Sequence, residues 1–378
     1  MGVRINPLRI LTHFAIMVFE DYLSKIARSP PASQEVFMLV NLFPDSLQGI
    51  ATLIGLALSF FLTVIVTAAL KKLLPRDQGR AYAVNGQLSE GKPRGAGILF
   101  VLVFCVVSAL LAPMSLELGI YLVLIALSML TGYLDDRSAT PWKDYKKAVL
   151  DLILAVLAAV TYVFFNRVEG MNAIHVSLFF DDAVSFNMPM IPYAILAVIL
   201  IWASVNVTNC SDGVDGLSGS VTIASLLSFF GIYYVKEQLA AAGLVSTTVD
   251  AGMPVLILFF VLCLLAYLWF NASPSKLLMG DAGSRAMGFF LALVALKSGS
   301  PFLFLPLALV LILDGGLGLI KVFLLRFFKI KILANTRTPI HDHVRKNKGW
   351  SDTQTVFRFT IVQLVIGLLI VAAGLLLL

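Results

Sequence analysis

Five aspartates stand at the edges of long apolar segments. Asp135 and Asp136 lie in TGYLDDRSATP, Asp212 and Asp215 in NVTNCSDGVDGLSG, and Asp281 in NASPSKLLMGDAGSRAMG. A carboxylate at the centre of a membrane helix costs roughly 2.5–3.5 kcal/mol, so it persists near a bilayer chiefly where it faces a water-filled cavity and has a task. Carboxylates gathered without cations repel one another, and a hard cation relieves that repulsion. Mg2+ suits such a set: it takes one or two carboxylates, keeps several waters and accepts phosphate oxygens. The glycines beside the acids, Gly213, Gly216, Gly280 and Gly283, allow tight turns and close approach of backbone N–H groups to an anion. With basic residues close by, the pattern fits metal-assisted phosphoryl chemistry better than proton conduction, which needs no glycine-rich loops.

The elements that must position these acids are membrane spans. The chain has 378 residues, 59% of them apolar and 13% charged, with a mean hydropathy of +0.92. Ten apolar runs approach the length that crosses about 30 Å of hydrocarbon. They cover 49–70, 96–114, 117–134, 148–165, 191–207, 216–235, 254–271, 285–298, 301–325 and 357–378, and 285–298 is the shortest. The runs are continuous and do not alternate, which argues against a β-barrel and predicts an all-α integral membrane protein. Residues 49–378 are expected to form a single polytopic transmembrane catalytic domain. Residues 1–48, with shorter apolar stretches around the turn-rich IARSPPASQ, are expected to form an interfacial and linker segment.

Basic residues orient the bundle. Loops 71–95, 135–147, 208–215, 272–284 and 326–356 carry eighteen Lys and Arg, against six on the other side, four of those in the N-terminal stretch. The positive-inside rule puts the first set in the cytoplasm and both termini outside. All five acids then fall at the cytoplasmic boundary, so three clusters distant in sequence should line one cytoplasmic-face cleft. Each has a separate bland reading, as a solvated helix end, an Asx-type turn or a helix cap, but those readings do not explain a shared face. Asp314, beside Gly315–Gly316, is left between a helix contact and catalysis, and Lys321 and Arg358 read as snorkelling cations. His341 and His343 stand two apart in TPIHDHVRKNKGW and are not a helical metal pair. Dispersed Cys105, Cys210 and Cys263 support neither a disulfide framework nor a zinc site. No continuous basic face or stacking motif points to nucleic acid; the net charge of +6 follows topology.

At these residues the chain resembles the polyprenyl-phosphate N-acetylhexosamine-1-phosphate transferases, and within them the phospho-N-acetylmuramoyl-pentapeptide transferases. The likeness covers roughly residues 70–365. Asp135–Asp136 match the family's DD motif, and Asn206, Asn209, Asp212, Gly213, Asp215 and Gly216 match its NxxNxxDGxDGL signature. Asn271 and Met279–Gly280–Asp281 with Gly283–Ser284 match NAxPxKxxMGDxGS, and residues 339–350 are similar to the PIHHHxExxGW loop. That loop separates this branch from the GlcNAc-1-phosphate branch, which carries a DRxHxHH pattern.

The resemblance implies transfer of phospho-MurNAc-pentapeptide from UDP-MurNAc-pentapeptide to undecaprenyl phosphate in the bacterial cytoplasmic membrane, giving lipid I and UMP for peptidoglycan. It implies Mg2+ held by Asp281 with Asp212, and a catalytic set of Asp135, Asp136, Asp281, His341 and His343. Asn206, Asn209, Asp212, Gly213, Asp215 and Gly280 would bind substrate. It is compatible with a homodimer. The chain departs from the pattern in four places. Asp342 replaces the central His of three. The family's KKGTPTMGG loop reads Ser89–Glu90–Gly91–Lys92–Pro93–Arg94–Gly95–Ala96–Gly97, where Lys92 or Arg94 would supply the charge. Leu278 stands where Phe is common. The basic segment after the DD motif is shortened, so Lys146 and Lys147 both fit its lysine. Transfer from UDP-GlcNAc is the alternative. A cation-coupled transporter, which would carry paired repeats and broken helices at the midplane, is a more distant one.

Overall fold

The computed structural model describes residues 45–79, 86–180, 184–245 and 250–378, so most of the expected 1–48 linker lies outside the described residues. Each of the ten apolar runs falls on helix. They are α1 (Asp45–Leu70), α2 (Gly97–Leu111), α3 (Leu116–Asp136), α4 (Asp144–Asn166), α5 (Met190–Ser211), α6 (Leu217–Ala241), α7 (Gly252–Asn271) and α8 (Gly280–Lys297), then a bent pair, α9 (Pro301–Leu307) and α10 (Leu309–Phe328), and, after the short α11 (Ile340–Lys348), α12 (Asp352–Leu375). Among the described residues seven helices are long and apolar enough to cross a membrane, or eight if the pair bent by 66° is one span. The bundle is that of a multi-pass membrane protein.

One departure from an all-helical chain is a hairpin between α4 and α5. Strands β1 (Ala173–Ser177) and β2 (Ser185–Pro189) pair antiparallel in the register Ala173↔Pro189 to Ser177↔Ser185.

The short segment at 285–298 is the centre of the bundle. Every residue of α8 from Gly280 to Leu296 is buried, with α3, α5 and α2 packed around it. It meets protein on all sides, so neither length nor an amphipathic stripe is demanded of it. Helix α12 is the opposite case: it packs on α6 and buries only Thr355, Gln363, Gly367 and Gly374. Its apolar remainder suits lipid. Its start is fixed by a capping box, in which Ser351 accepts from the Gln354 N–H and the Gln354 side chain accepts from the Ser351 N–H.

Candidate active site

The first turn of α8 organises the site. Gly280 takes φ +68°, a left-handed value that favours glycine, and α8 has no side-chain cap of its own. Asp136, the last residue of α3, supplies one: its Oδ1 accepts from the Asp281 N–H at 3.1 Å and its Oδ2 from the Ala282 N–H at 3.0 Å. A carboxylate satisfies orphan donors there and also complements the positive end of the helix dipole. The approach needs glycine on both sides. A Cβ on Gly280 would stand 2.2 Å from Asp136 Oδ2, and one on Gly132, a turn back in α3, 2.3 Å from the Asp281 carbonyl oxygen.

Cations then interleave with the acids. The loop before α2 is tied to the MGD segment by Leu278 N–H to Pro93 O (2.8 Å), Ala96 N–H to Leu278 O (3.0 Å) and Gly97 N–H to Met279 O (3.0 Å). This carries Arg94 into the cluster, with Nε 2.9 Å from Asp136 Oδ1, Nη2 3.6 Å from Asp281 Oδ1 and Nη1 3.3 Å from Asp77 Oδ1. Burial alone would pull the Arg94 guanidinium down, but Asp136, Asp281, Asp77 and Asp212 outweigh it and hold its pKa above the usual value. Lys147 pairs with Asp135 and stands 3.2 Å from Asp281 Oδ2. Asp135 also accepts from the Trp142 N–H at 2.7 Å. With Asp135 at 5% and Asp281 at 6% exposure, neither carboxylate would be tolerated uncompensated, since an unpaired buried charge costs several kcal/mol.

The DGVDG loop lies alongside. Asn209 Nδ2 donates to Ser284 Oγ on α8 at 2.8 Å, and Ser218 Oγ donates to Asp212 Oδ1 at 2.8 Å. Asp215 accepts from the Ser275 N–H at 2.9 Å and faces Lys92 at 3.8 Å. Asn271 clamps the loop base, accepting from the Gly216 N–H at 2.8 Å and donating to Leu277 O at 2.9 Å. Over this loop sits His341. Its Nδ1 lies 2.8 Å from Asp314 Oδ2 and its own N–H donates to Asp314 Oδ1 at 2.7 Å. A carboxylate partner puts the proton on Nδ1 and leaves Nε2 facing Gly213, where a Cβ would meet it at 2.3 Å. Asp314 itself is in a π-helical stretch, Ile312–Gly316, a local widening common at functional sites.

Comparison with known proteins bears on this geometry. Residues 118–299 match the family described as glycosyl transferase family 4. A phospho-N-acetylmuramoyl-pentapeptide-transferase of Treponema pallidum (strain Nichols) is 44% identical over 85% of this chain and 90% of its own length. The chain belongs to that family. Proteins of the same name from Borrelia hermsii (28% identical over 84% of this chain and 92% of theirs) and Thermotoga neapolitana (28%, 83% and 97%) are similar across the same extent. In this transferase the family match runs from α3 to just past α8 and so holds Asp135, Asp136, Lys147, Asp212, Asp215 and Asp281; Arg94 and the Asp314–His341 pair lie outside it.

Not every expected residue joins the cluster. Of the two candidate lysines, Lys147 enters it, whereas Lys146 is exposed and stacks over Trp142 at 3.4 Å. Of Lys92 and Arg94, Arg94 reaches the acids, while Lys92 donates to Ser275 Oγ at 2.9 Å near Asp215. Asn206 turns back to its own helix, donating to Trp202 O at 2.8 Å. His343 accepts from the Arg337 N–H at 3.3 Å and so faces the preceding loop rather than Asp314. Three residues of this charge cluster carried no signal in the motifs. Asp77 anchors Arg94, and Arg285 joins Asp281 (3.8 Å) to Asp151 on α4 (3.4 Å). The one hint was a basic residue, Arg285, inside an apolar run.

Proposed function

We propose that this transferase moves phospho-MurNAc-pentapeptide from UDP-MurNAc-pentapeptide to undecaprenyl phosphate, giving lipid I and UMP. The observation that carries the reading is the interleaving of Asp135, Asp136 and Asp281 with Arg94 and Lys147 around the N-terminus of α8. Such a site receives phosphates and orients them, and a phosphate nucleophile needs no activated serine or cysteine. The ten helical segments are read as ten spans of one catalytic domain, with the cleft toward the cytoplasm and both termini outside. The lipid phosphate enters at that face while its tail stays in the bilayer.

The donor set suits a hard cation. Asp281 and Asp212 offer carboxylates, Asn209 is hydrogen-bonded to Ser284 one turn from Asp281, and the two oxygens of Asp281 already face Lys147 at 3.2 Å and Arg94 at 3.6 Å. Mg2+ binds through one or two carboxylates and substrate phosphates, so it needs no closed protein cage. Asp281 and Asp212 would hold Mg2+, which neutralises charge developing on the leaving UMP.

The protein's own groups do the rest. Lys147 and Arg94 hold the lipid phosphate for in-line attack on the β-phosphorus, and the P–O bond to UMP breaks as the new one forms. Asp136 is committed to the α8 cap, so Asp135 is the carboxylate left to take a proton from the lipid phosphate. That step contributes little near neutral pH, where the phosphate is already largely ionised. Asn209, Asp212 and Asp215 line the nucleotide cleft. His341, oriented by Asp314, presents Nε2 to the sugar and pyrophosphate, and His343 braces the loop behind it. The test is UMP release by purified protein with undecaprenyl phosphate, comparing UDP-MurNAc-pentapeptide with UDP-GlcNAc, each with and without Mg2+. Magnesium-dependent release from the muramyl substrate alone is expected; release from UDP-GlcNAc alone would reassign the sugar.

A further inference from the structure

Helix α11 has two working faces. His341 and Arg345 face the aspartate loops, His341 against Gly213 and Arg345 with Nη1 3.4 Å from the Gly213 carbonyl. His343, Lys346 and Asn347 recur at i, i+3 and i+4 and share the other face. There Lys346 and Asn347 join Lys321, Thr336, Arg337 and Thr338 in lining an open cleft of about 680 Å³. That volume is in the range of ligand sites, but the walls are polar and no carboxylate is among them. Lys321 does not snorkel, as its place at a span end suggested. It donates to Leu333 O at 3.0 Å and Thr336 O at 2.9 Å, and so holds one wall of the cleft. Leu333 sits at φ +48°, a region side chains rarely adopt, and that turn needs such a brace. Arg337 and Lys346 are exposed, and among the described residues neither pairs with a carboxylate. Two unpaired cations in a concavity without acids focus positive potential and select an anion.

We propose that this cleft takes the carboxylates of the substrate's peptide. The inference rests on the transfer reaction given above and names the part of the substrate that the aspartate cluster does not hold. A pentapeptide ends in a carboxylate. The two faces of a helix are about 10 Å apart, and five extended residues span roughly 17 Å. A substrate whose pyrophosphate meets His341 therefore has its peptide terminus within reach of Arg337 and Lys346. The His343 contact with the Arg337 N–H fastens this face of α11 to the loop that forms the cleft's other wall. Acidic lipid headgroups share the same anionic chemistry, but a concave, polar pocket fits a peptide end better than a flat membrane surface.

The experiment uses the full chain in phosphatidylcholine nanodiscs with undecaprenyl phosphate and follows UMP release. Three donors are compared: UDP-MurNAc-pentapeptide, the same compound with its peptide carboxylates amidated, and UDP-MurNAc without peptide. For the wild type, amidation is expected to raise KM about tenfold, the scale of a lost charge-assisted contact, with kcat within about twofold. The double variant Arg337→Gln, Lys346→Gln should show the same rise on the native donor and no longer distinguish native from amidated. An equal wild-type KM for native and amidated donors would overturn the subsite, and it decides the matter even if the variant does not fold. So would a variant that loses equally on all three donors, peptide-free included. A variant effect that emerges only when phosphatidylglycerol is added would give the cleft to lipid headgroups instead. Wild-type protein that releases no UMP from any donor would fail the transfer reading itself, and the subsite with it.

Discussion

Helices α3 and α8 pack antiparallel and carry buried charge at both ends, and the two ends are finished differently. At one end Lys297 Nζ meets Glu117 Oε2 at 2.7 Å, Asn166 Oδ1 at 3.2 Å and Asp250 at 3.4 Å, while Tyr121 and Asn166 both donate to Glu117 Oε1 at 2.7 Å. No buried polar atom of Glu117, Lys297 or Asn166 is left over. At the other end Arg285 Nη1 and Asp151 Oδ1 are buried without a hydrogen bond, and Arg94 Nε touches Asp136 without aligning to it. A network that only holds helices together can saturate itself. On the proposed function the other network also receives phosphates and a cation, and it keeps donors and acceptors in reserve, at a cost in stability of about 1–3 kcal/mol for each unsatisfied group.

The comparison is broken most severely at Asp281. Asp281→Asn keeps the shape and removes the charge on which Lys147, Arg94 and Arg285 converge. UMP release should fall by at least about a thousandfold, the upper scale for losing one preorganised electrostatic group. Its melting temperature in detergent should stay within a few degrees of wild type. Normal turnover would remove Asp281 from the chemistry altogether.

Next in size is Lys147→Met. It strips the cation shared by Asp135 and Asp281, and kcat/KM should drop about a hundredfold. Lys146→Met, one residue away but stacked on Trp142, should change it less than twofold. If the two lysines proved equivalent, the geometry separating them would be wrong. For the Asp314–His341 pair, His341→Ala and Asp314→Asn should each cost about tenfold to fiftyfold. The double variant should lose little more than either alone, because one residue acts through the other. Additive losses would mean that Asp314 has a role of its own.

These contrasts also mark what could be read from the sequence. The shared face of Asp135–Asp136, DGVDG and Asp281 followed from loop alternation and the distribution of lysine and arginine, and the structure brings Asp135, Asp136 and Asp281 together around one helix end. Partner choice could not be read the same way. Lys146 and Lys147 are adjacent and chemically identical in sequence, and only the helical turn decides which points inward. Arg94 reaches Asp136 because the loop at 93–97 hydrogen-bonds to 278–279, a contact across about 180 residues with no local signature. Lys297 and Glu117 each look like a cation or an anion at a span end, where snorkelling is the ordinary expectation. Their pairing at 2.7 Å exists only because α3 and α8 run antiparallel in a fixed register. Asp314 was left open for a related reason, since its partner is 27 residues on, in the separate short helix α11.

The smallest effect on chemistry is expected at the saturated end, and it is the sharpest check on the comparison. Lys297→Met leaves Glu117 and Asp250 facing each other without their cation, and breaking a buried ion pair typically costs about 3–5 kcal/mol. Melting temperature should therefore fall clearly. Turnover per folded molecule should remain within about twofold, because α3 is 21 residues long and, at about 1.5 Å per residue, sets the two networks roughly 30 Å apart. Adding Glu117→Gln should recover part of the lost stability, since it removes one of the stranded charges. If turnover instead collapses while the protein stays folded, the far network is setting the register that brings Asp136 under the first turn of α8. The two ends would then be one device, with the closed end holding the open end in place.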